Sequence, residues 1–148
     1  MQALMNIKEP HKRMIDCELI LRFLALRWNW SPDKGGARLE DEGVSDYRGR
    51  MKKFLNDFMR QYQHADNERL MAMEKCFNGT VKKVYEIFGA RAFRRINEEG
   101  EFETSLNRAI MDSLLVSFSF FSDEDLQRNK DDIVNHFYEL VKNDQLSK

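Results

Sequence analysis

The chain has few of the residues that mark a secreted or membrane protein. Among its 148 residues there are two cysteines, Cys17 and Cys76, and neither belongs to a Cys-x-x-Cys or mixed Cys/His pattern. Both stand in helical apolar patterns, which favours buried, reduced thiols. Apolar runs are short, because Arg22 and Arg27 interrupt the most apolar stretch, and none approaches the roughly 20 residues of a membrane span. With no secretory leader pattern either, we expect a cytoplasmic protein that does not contact membranes.

An excess of charge of one sign is also missing. The 24 lysines and arginines nearly cancel the 25 aspartates and glutamates, which leaves a net charge of -1. This balance gives the chain no overall attraction to nucleic acid or to anionic lipid, so any such binding has to be local. A length of 148 residues suits one compact domain.

Motifs of the common enzyme classes are absent as well. There is no P-loop, dinucleotide fingerprint, nucleophile elbow or His-Glu-x-x-His pattern. The three histidines, His11, His64 and His136, are far apart in sequence. The acidic run at residues 123–125 fits a helix N-terminus better than a metal site. The sequence therefore predicts no catalytic residue, no metal and no cofactor, and it favours, without deciding, a chain with no enzymatic activity of its own.

Helical apolar spacing is what the sequence has in abundance. Residues 13–30 are apolar almost all the way round a helix, so other elements have to surround this segment. Apolar spacing and capping residues predict further helices at residues 45–62, 67–88, 104–121 and from 122 onward. We predict an all-α, single-domain bundle of about five helices with a central, nearly fully apolar first helix. Residues 13–145 form this helical domain, residues 1–12 are a polar lead-in, and Leu21, Phe23 and Leu24 are expected in the core.

Four of the five charged residues on the first helix have apolar surroundings that make exposure unexpected: Arg13, Asp16, Glu18 and Arg22. Glu18 precedes Arg22 by one helical turn, the acid-before-base spacing that links side chains along a helix. Partly buried charges need partners. The pattern therefore favours a structural ion network over catalysis.

Two basic clusters supply candidate nucleic-acid-binding residues: Arg48, Arg50, Lys52, Lys53, Arg91, Arg94 and Arg95. Local clusters of cations bind phosphate without regard to base sequence. A helix also has to present charge to water to stay soluble. For each cluster taken singly, an ordinary solvated face is the commoner outcome.

Three blocks of the sequence resemble the helical part of GmrSD-type restriction proteins. They read Arg-Met-x-Asp-x-Glu-Leu-Ile-Leu-Arg-Phe-Leu-Ala-Leu from residue 13, Tyr-x-Gly-x-Met-x-x-Phe-Leu-Asn from residue 47 and Phe-Gly-x-x-Ala-Phe-Arg from residue 88. The likeness covers roughly residues 8 to 145, and the first block is the most specific. In that family the helical region follows a ParB/sulfiredoxin-like domain that hydrolyses nucleotide and supports DNA cleavage, and many members carry an HNH nuclease domain downstream.

Neither the nucleotide-hydrolysing motif nor the HNH domain has a counterpart in this chain. The resemblance therefore implies a detached helical segment without a catalytic residue. It implies a helical accessory or interaction module of a DNA-targeting, defence-type restriction nuclease. Such a module would dock on the ParB-like domain of the same system or on a second copy of the chain, and would bind DNA at most weakly. The alternative, from another class, is a free-standing helical protein-interaction domain of a cytoplasmic protein.

Overall fold

The computed structural model describes residues 15–31, 36–37 and 50–142, and most of these residues are helical. The helices are α1 (Ile15–Asn29), α2 (Met51–Tyr62), α3 (Asn67–Phe88), α4 (Arg108–Phe118), α5 (Asp123–Arg128) and α6 (Lys130–Lys142), with a 3-10 turn at Gly89–Arg91. After α1, β1 (Trp30–Ser31) and β2 (Gly36–Ala37) form a two-residue antiparallel pair. The predicted all-α class is confirmed.

Capping residues explain the two ends of α3. The Asp66 side chain accepts a hydrogen bond from the Arg69 N–H at 2.8 Å, which satisfies one of the free donors of the first turn. Gly89 follows the last residue with φ at 66°, a left-handed conformation that glycine adopts without steric cost, and its N–H donates to the Tyr85 carbonyl. The predicted end of this helix at Gly89 is confirmed.

α4 is shorter than the predicted helix at residues 104–121. It begins after Asn107, whose side chain accepts from the Ile110 N–H at 3.0 Å. It ends at Phe118, and the next residues bend away in tight turns in which the Phe121 N–H donates to the Phe118 carbonyl at 3.3 Å. Apolar spacing continues beyond both ends because side chains of the flanking turns are also partly buried.

The helix predicted from residue 122 onward is two helices, α5 and α6. The Ser122 hydroxyl caps α5 by accepting from the Asp125 N–H at 3.2 Å, as the sequence suggests. Asn129 separates the two helices, and its side-chain amide donates to the Asp125 carbonyl at 2.9 Å. A short polar side chain that bonds the backbone in this way competes with regular helix, which explains the interruption. The predicted cap of α2 at Ser45 lies outside the described residues.

α1 occupies the centre of the bundle because two apolar clusters meet on it. Leu19 and Phe23 are buried in the larger cluster, among side chains of α3 and α4. Ala25 is buried in the second cluster, against α2. Of the three residues expected in the core, Phe23 is fully buried, whereas Leu21 and Leu24 are half-buried and pack against the edges of these clusters. No helix within residues 15–29 or 51–142 is long and apolar enough to cross a membrane.

Candidate functional site

Glu18 and Arg22 of α1 pair with charged residues of α4. The Arg22 guanidinium reaches Asp112 with two nitrogens: Nε donates to Oδ1 at 3.3 Å, and Nη2 donates to Oδ2. The two side chains are 11% and 16% exposed, so this is a largely buried pair. A bidentate arginine–carboxylate pair fixes both the distance and the orientation of the two helices.

One turn earlier on both helices lies a second, exposed pair. Glu18 and Arg108 approach to 3.4 Å, with side chains 42% and 49% exposed. The two ion pairs are matched in chain order, so α1 and α4 run in the same direction. The predicted partnership of Glu18 with Arg22 along α1 is therefore wrong, because both side chains point across to the neighbouring helix.

The other two members of the predicted network have different positions. The Asp16 carboxylate accepts a hydrogen bond from the Cys17 N–H at 3.0 Å, which is a local contact at the start of α1. Arg13, the fourth member of the predicted network, lies outside the described residues. The structural network supported by contacts thus consists of Glu18 and Arg22 on α1 with Arg108 and Asp112 on α4.

Burial sets the electrostatics of this network. Desolvation raises the pKa of Asp112 above its ordinary value of 3.8, although the hydrogen bond from Arg22 and the charges of Arg22 and Arg108 act to lower it. The carboxyl group therefore binds its proton more tightly in the folded chain than in the unfolded chain. The ion pair orients two helices at a cost in desolvation, which is typical of buried pairs.

This raised pKa predicts how stability depends on pH. Between the ordinary value and the folded pKa, the folded chain keeps a proton that the unfolded chain releases, so the Asp112 contribution to the free energy of unfolding falls as pH rises. We expect the parent chain to lose stability relative to Asp112→Asn as pH rises from the ordinary pKa of 3.8 through the raised folded pKa. Denaturant titrations of both proteins at several pH values measure the difference between their free energies of unfolding. The contributions of the other carboxylates are the same in both proteins and cancel in this difference. A free energy of unfolding that rises with pH in the parent relative to Asp112→Asn would contradict the assignment.

The first basic cluster lies at the start of α2. Arg50 and Lys52 are exposed and make no ion pair with another described residue. The Lys53 ammonium lies 3.6 Å from the Asp57 carboxylate, but its side chain is still 60% exposed. Arg48 lies outside the described residues. Its three described members can therefore meet a phosphate backbone without any change in the fold.

The second basic cluster is split by burial. Arg91 is exposed, with its guanidinium 5.3 Å from the centroid of the Phe102 ring. Arg94 is 8% exposed, and its guanidinium donates to the backbone carbonyls of Ala90, Glu103 and Thr104. The interpretation of Arg94 as a phosphate contact is therefore wrong: it ties the 3-10 turn to the segment before α4. Arg95 is half-buried, and its Nε has no hydrogen-bond partner among the described residues.

Titratable residues do not converge on a metal site in the part of the chain that the structure covers. Within residues 15–31 and 50–142, no three side chains of the His, Cys, Asp and Glu types lie close enough to hold a metal ion. His136 is exposed, and its Nδ1 lies 2.7 Å from the Asp132 carbonyl of the preceding turn. His11 is outside the described residues. The acidic residues at 123–125 occupy the first turn of α5.

Arg108 and Asp112 are the structural residues that sequence reasoning missed. They stand one turn apart on α4, as Glu18 and Arg22 do on α1, but with the order of charges reversed. When two buried helices carry i,i+4 charge pairs in opposite order, each charge can meet an opposite charge if the helices are parallel. The sequence therefore contained a signal for this pairing.

Comparison of the whole chain with known proteins adds no relative. No protein-family model, curated protein or solved structure matches it.

Proposed function

We propose that this chain is a helical accessory module of a DNA-targeting, defence-type restriction nuclease, and that it contributes contacts but no chemistry. The proposal starts from the resemblance of residues 13–26, 47–56 and 88–94 to GmrSD-type proteins. In the first of these blocks, Glu18 and Arg22 join α1 to α4. These charged residues align two helices and so have a structural role. A structural role is what we expect in an accessory module that has no catalytic residue.

The observation that carries the DNA contact is the exposure of cations at the start of α2. Arg50 precedes α2 as its N-cap residue, and Lys52 and Lys53 lie in its first turn. The buried side of this helix carries Phe54 and Phe58. The three cations can neutralise phosphates while the buried face stays packed. Because the net charge of the chain is only -1, this contact is weak, independent of base sequence and dependent on salt.

A triple substitution tests this contact. Replacing Arg50, Lys52 and Lys53 together by alanine should leave the fold intact and weaken duplex binding. A plot of the logarithm of the binding constant against the logarithm of salt concentration should become less steep. Its slope should change by up to about 2.7, because each lost phosphate contact removes about 0.9 from the slope. Anisotropy titrations of a labelled duplex at several salt concentrations give both quantities.

The matched control removes the same charge elsewhere. Lys75, Lys82 and Lys142 are exposed on α3 and α6, and their joint replacement by alanine changes the net charge equally. If the control flattens the salt dependence as much as the test variant does, the effect comes from net charge and the α2 cluster is an ordinary solvated face.

The alternative function, a free-standing helical protein-interaction domain, is supported by apolar side chains left in water. Met59, Leu70 and Met71 are 47%, 49% and 67% exposed at the adjoining ends of α2 and α3. Absence of any salt-dependent duplex binding in the titrations above would favour this alternative over the proposal.

A further inference from the structure

A groove between the last three helices has an apolar interior. It is lined by Phe118 and Phe121 at the end of α4, by Asp125 and Leu126 of α5, and by Asn129 and Ile133 where α6 begins. Its volume is about 380 Å³. This is near the lower end of the roughly 300–1,000 Å³ that is usual for binding pockets, so it suits one or two large side chains better than a whole element.

Two hydrogen bonds hold the backbone of the turn that carries the exposed aromatic ring of this groove. Phe121 is 52% exposed, which is unusual for a residue among so many buried neighbours. Its carbonyl accepts a hydrogen bond from the Lys83 ammonium of α3 at 2.8 Å, and its own N–H donates to the Phe118 carbonyl. The turn that presents the ring is therefore anchored on both sides, so the exposure belongs to the fold.

Negative charge predominates in the segment that forms one side of this groove, and Asp125 lines the groove itself. Within residues 123–132 five acids stand against two cations: Asp123, Glu124, Asp125, Asp131 and Asp132 against Arg128 and Lys130. All five acids are exposed, and Arg128 is engaged with Asp125 at 3.7 Å. The acids favour the starts of α5 and α6 through the helix dipole. They still outnumber the nearby cations when Lys83, whose ammonium lies on the Phe121 carbonyl, is counted with Arg128 and Lys130.

We propose that this groove docks a cationic amphipathic segment of a partner protein. A large apolar side chain of the segment fills the space beside Phe121 and Leu126, and flanking lysines or arginines meet the carboxylates of α5 and α6. In such recognition the apolar anchor gives affinity, and charges at the rim give orientation and association rate. The inference goes beyond the proposed function, because it concerns a protein partner and residues of α4 to α6 instead of DNA and α2.

Two synthetic peptides of about four helical turns test the proposal on the full chain. Both carry leucine at helical i, i+3, i+4 and i+7 positions, and they differ only in having lysine or glutamate elsewhere. We expect the lysine peptide to bind, and the glutamate peptide to bind at least about tenfold more weakly, in anisotropy titrations. Binding of the lysine peptide should weaken with added salt, because charges at an exposed rim are screened over about 10 Å at 0.1 M ionic strength.

Variants of exposed residues locate the binding without disturbing the core. Phe121→Ser should weaken binding of the lysine peptide about tenfold. Leu70→Ser, a change at an apolar residue on α3 that is 49% exposed against 52% for Phe121, should not. Asp131→Asn with Asp132→Asn should weaken binding and flatten its salt dependence, whereas Glu98→Gln with Glu99→Gln should leave both unchanged. Circular dichroism checks that each variant is folded.

Three results would overturn the proposal. Equal binding of the two peptides would show that charge plays no part. Equal effects of a groove variant and its matched control would place the binding elsewhere. A dimer of the chain that sedimentation detects and Phe121→Ser abolishes would show that a second copy covers the groove. None of these results depends on DNA binding, so the proposed function is judged separately.

Discussion

Replacing Arg22 by alanine is expected to lower the free energy of unfolding by about 3 to 5 kcal/mol, because the Asp112 carboxylate then stays largely buried without its partner. Both side chains are more than four-fifths buried, and Arg22 supplies two hydrogen bonds to the carboxylate. Denaturant titration followed by circular dichroism at neutral pH measures the loss. Acidification should recover part of it, since protonation removes the unpaired charge.

The neighbouring ion pair provides the control for this effect. Arg108→Ala breaks the pair with Glu18 on the same two helices, but both of those side chains are about half exposed. Such pairs contribute about 0–1 kcal/mol. Joint replacement of Arg22 by methionine and Asp112 by leucine should return most of the lost stability, since it leaves no charge buried. A loss below about 1 kcal/mol for Arg22→Ala would show that the pair is effectively solvated.

The parts of the fold that the sequence predicts are those determined by local rules. α1 is apolar almost all the way round, and a helix of that kind is stable only when other elements surround it. The ends of α3 and the start of α5 follow from Asp66, Gly89 and Ser122, because their side chains or backbone freedom act within four residues. These features need no knowledge of how the helices pack.

The parts that could not be predicted depend on packing between distant segments. Arg22 and Asp112 are 90 residues apart, and only the arrangement of α1 beside α4 decides that they meet. Arg94 belongs to a basic cluster in the sequence, yet its guanidinium donates hydrogen bonds to three backbone carbonyls. A buried arginine and a phosphate-binding arginine look the same in sequence, because both need acceptors and differ only in which molecule supplies them.

The candidate groove shows the same limit. Apolar spacing identifies Phe118 and Leu126 as inward-facing residues, and they are buried. The spacing does not distinguish Phe121, which continues the apolar pattern but remains half exposed after α4 ends. The hydrogen bond from Lys83 that fixes this turn joins residues 38 positions apart. Surfaces of this kind arise where a helix stops, and only the structure locates that point.

Replacing Phe23 by alanine is expected to destabilise the chain as strongly as the Arg22 change, by about 3 to 5 kcal/mol. The Phe23 side chain is fully buried in the largest apolar cluster, with its ring centroid 5.5 Å from that of Phe77 on α3. Its removal takes away the transfer free energy of an aromatic ring and leaves a cavity where α1, α3 and α4 meet. The melting temperature should fall by about 6 to 20 °C, at 2 to 4 °C per kcal/mol for a chain of this size.

Phe121→Ala is the matched control, because it removes the same ring from a position that is 52% exposed. It should cost less than about 1 kcal/mol, as is usual for surface substitutions without buried contacts. Leu24→Ala should fall between the two, since Leu24 is half-buried where both clusters reach α1. The order Phe23, Leu24, Phe121 in loss of stability is therefore a direct measure of how central α1 is. If Phe23→Ala costs no more than Phe121→Ala, then α1 is not the helix around which the bundle is built.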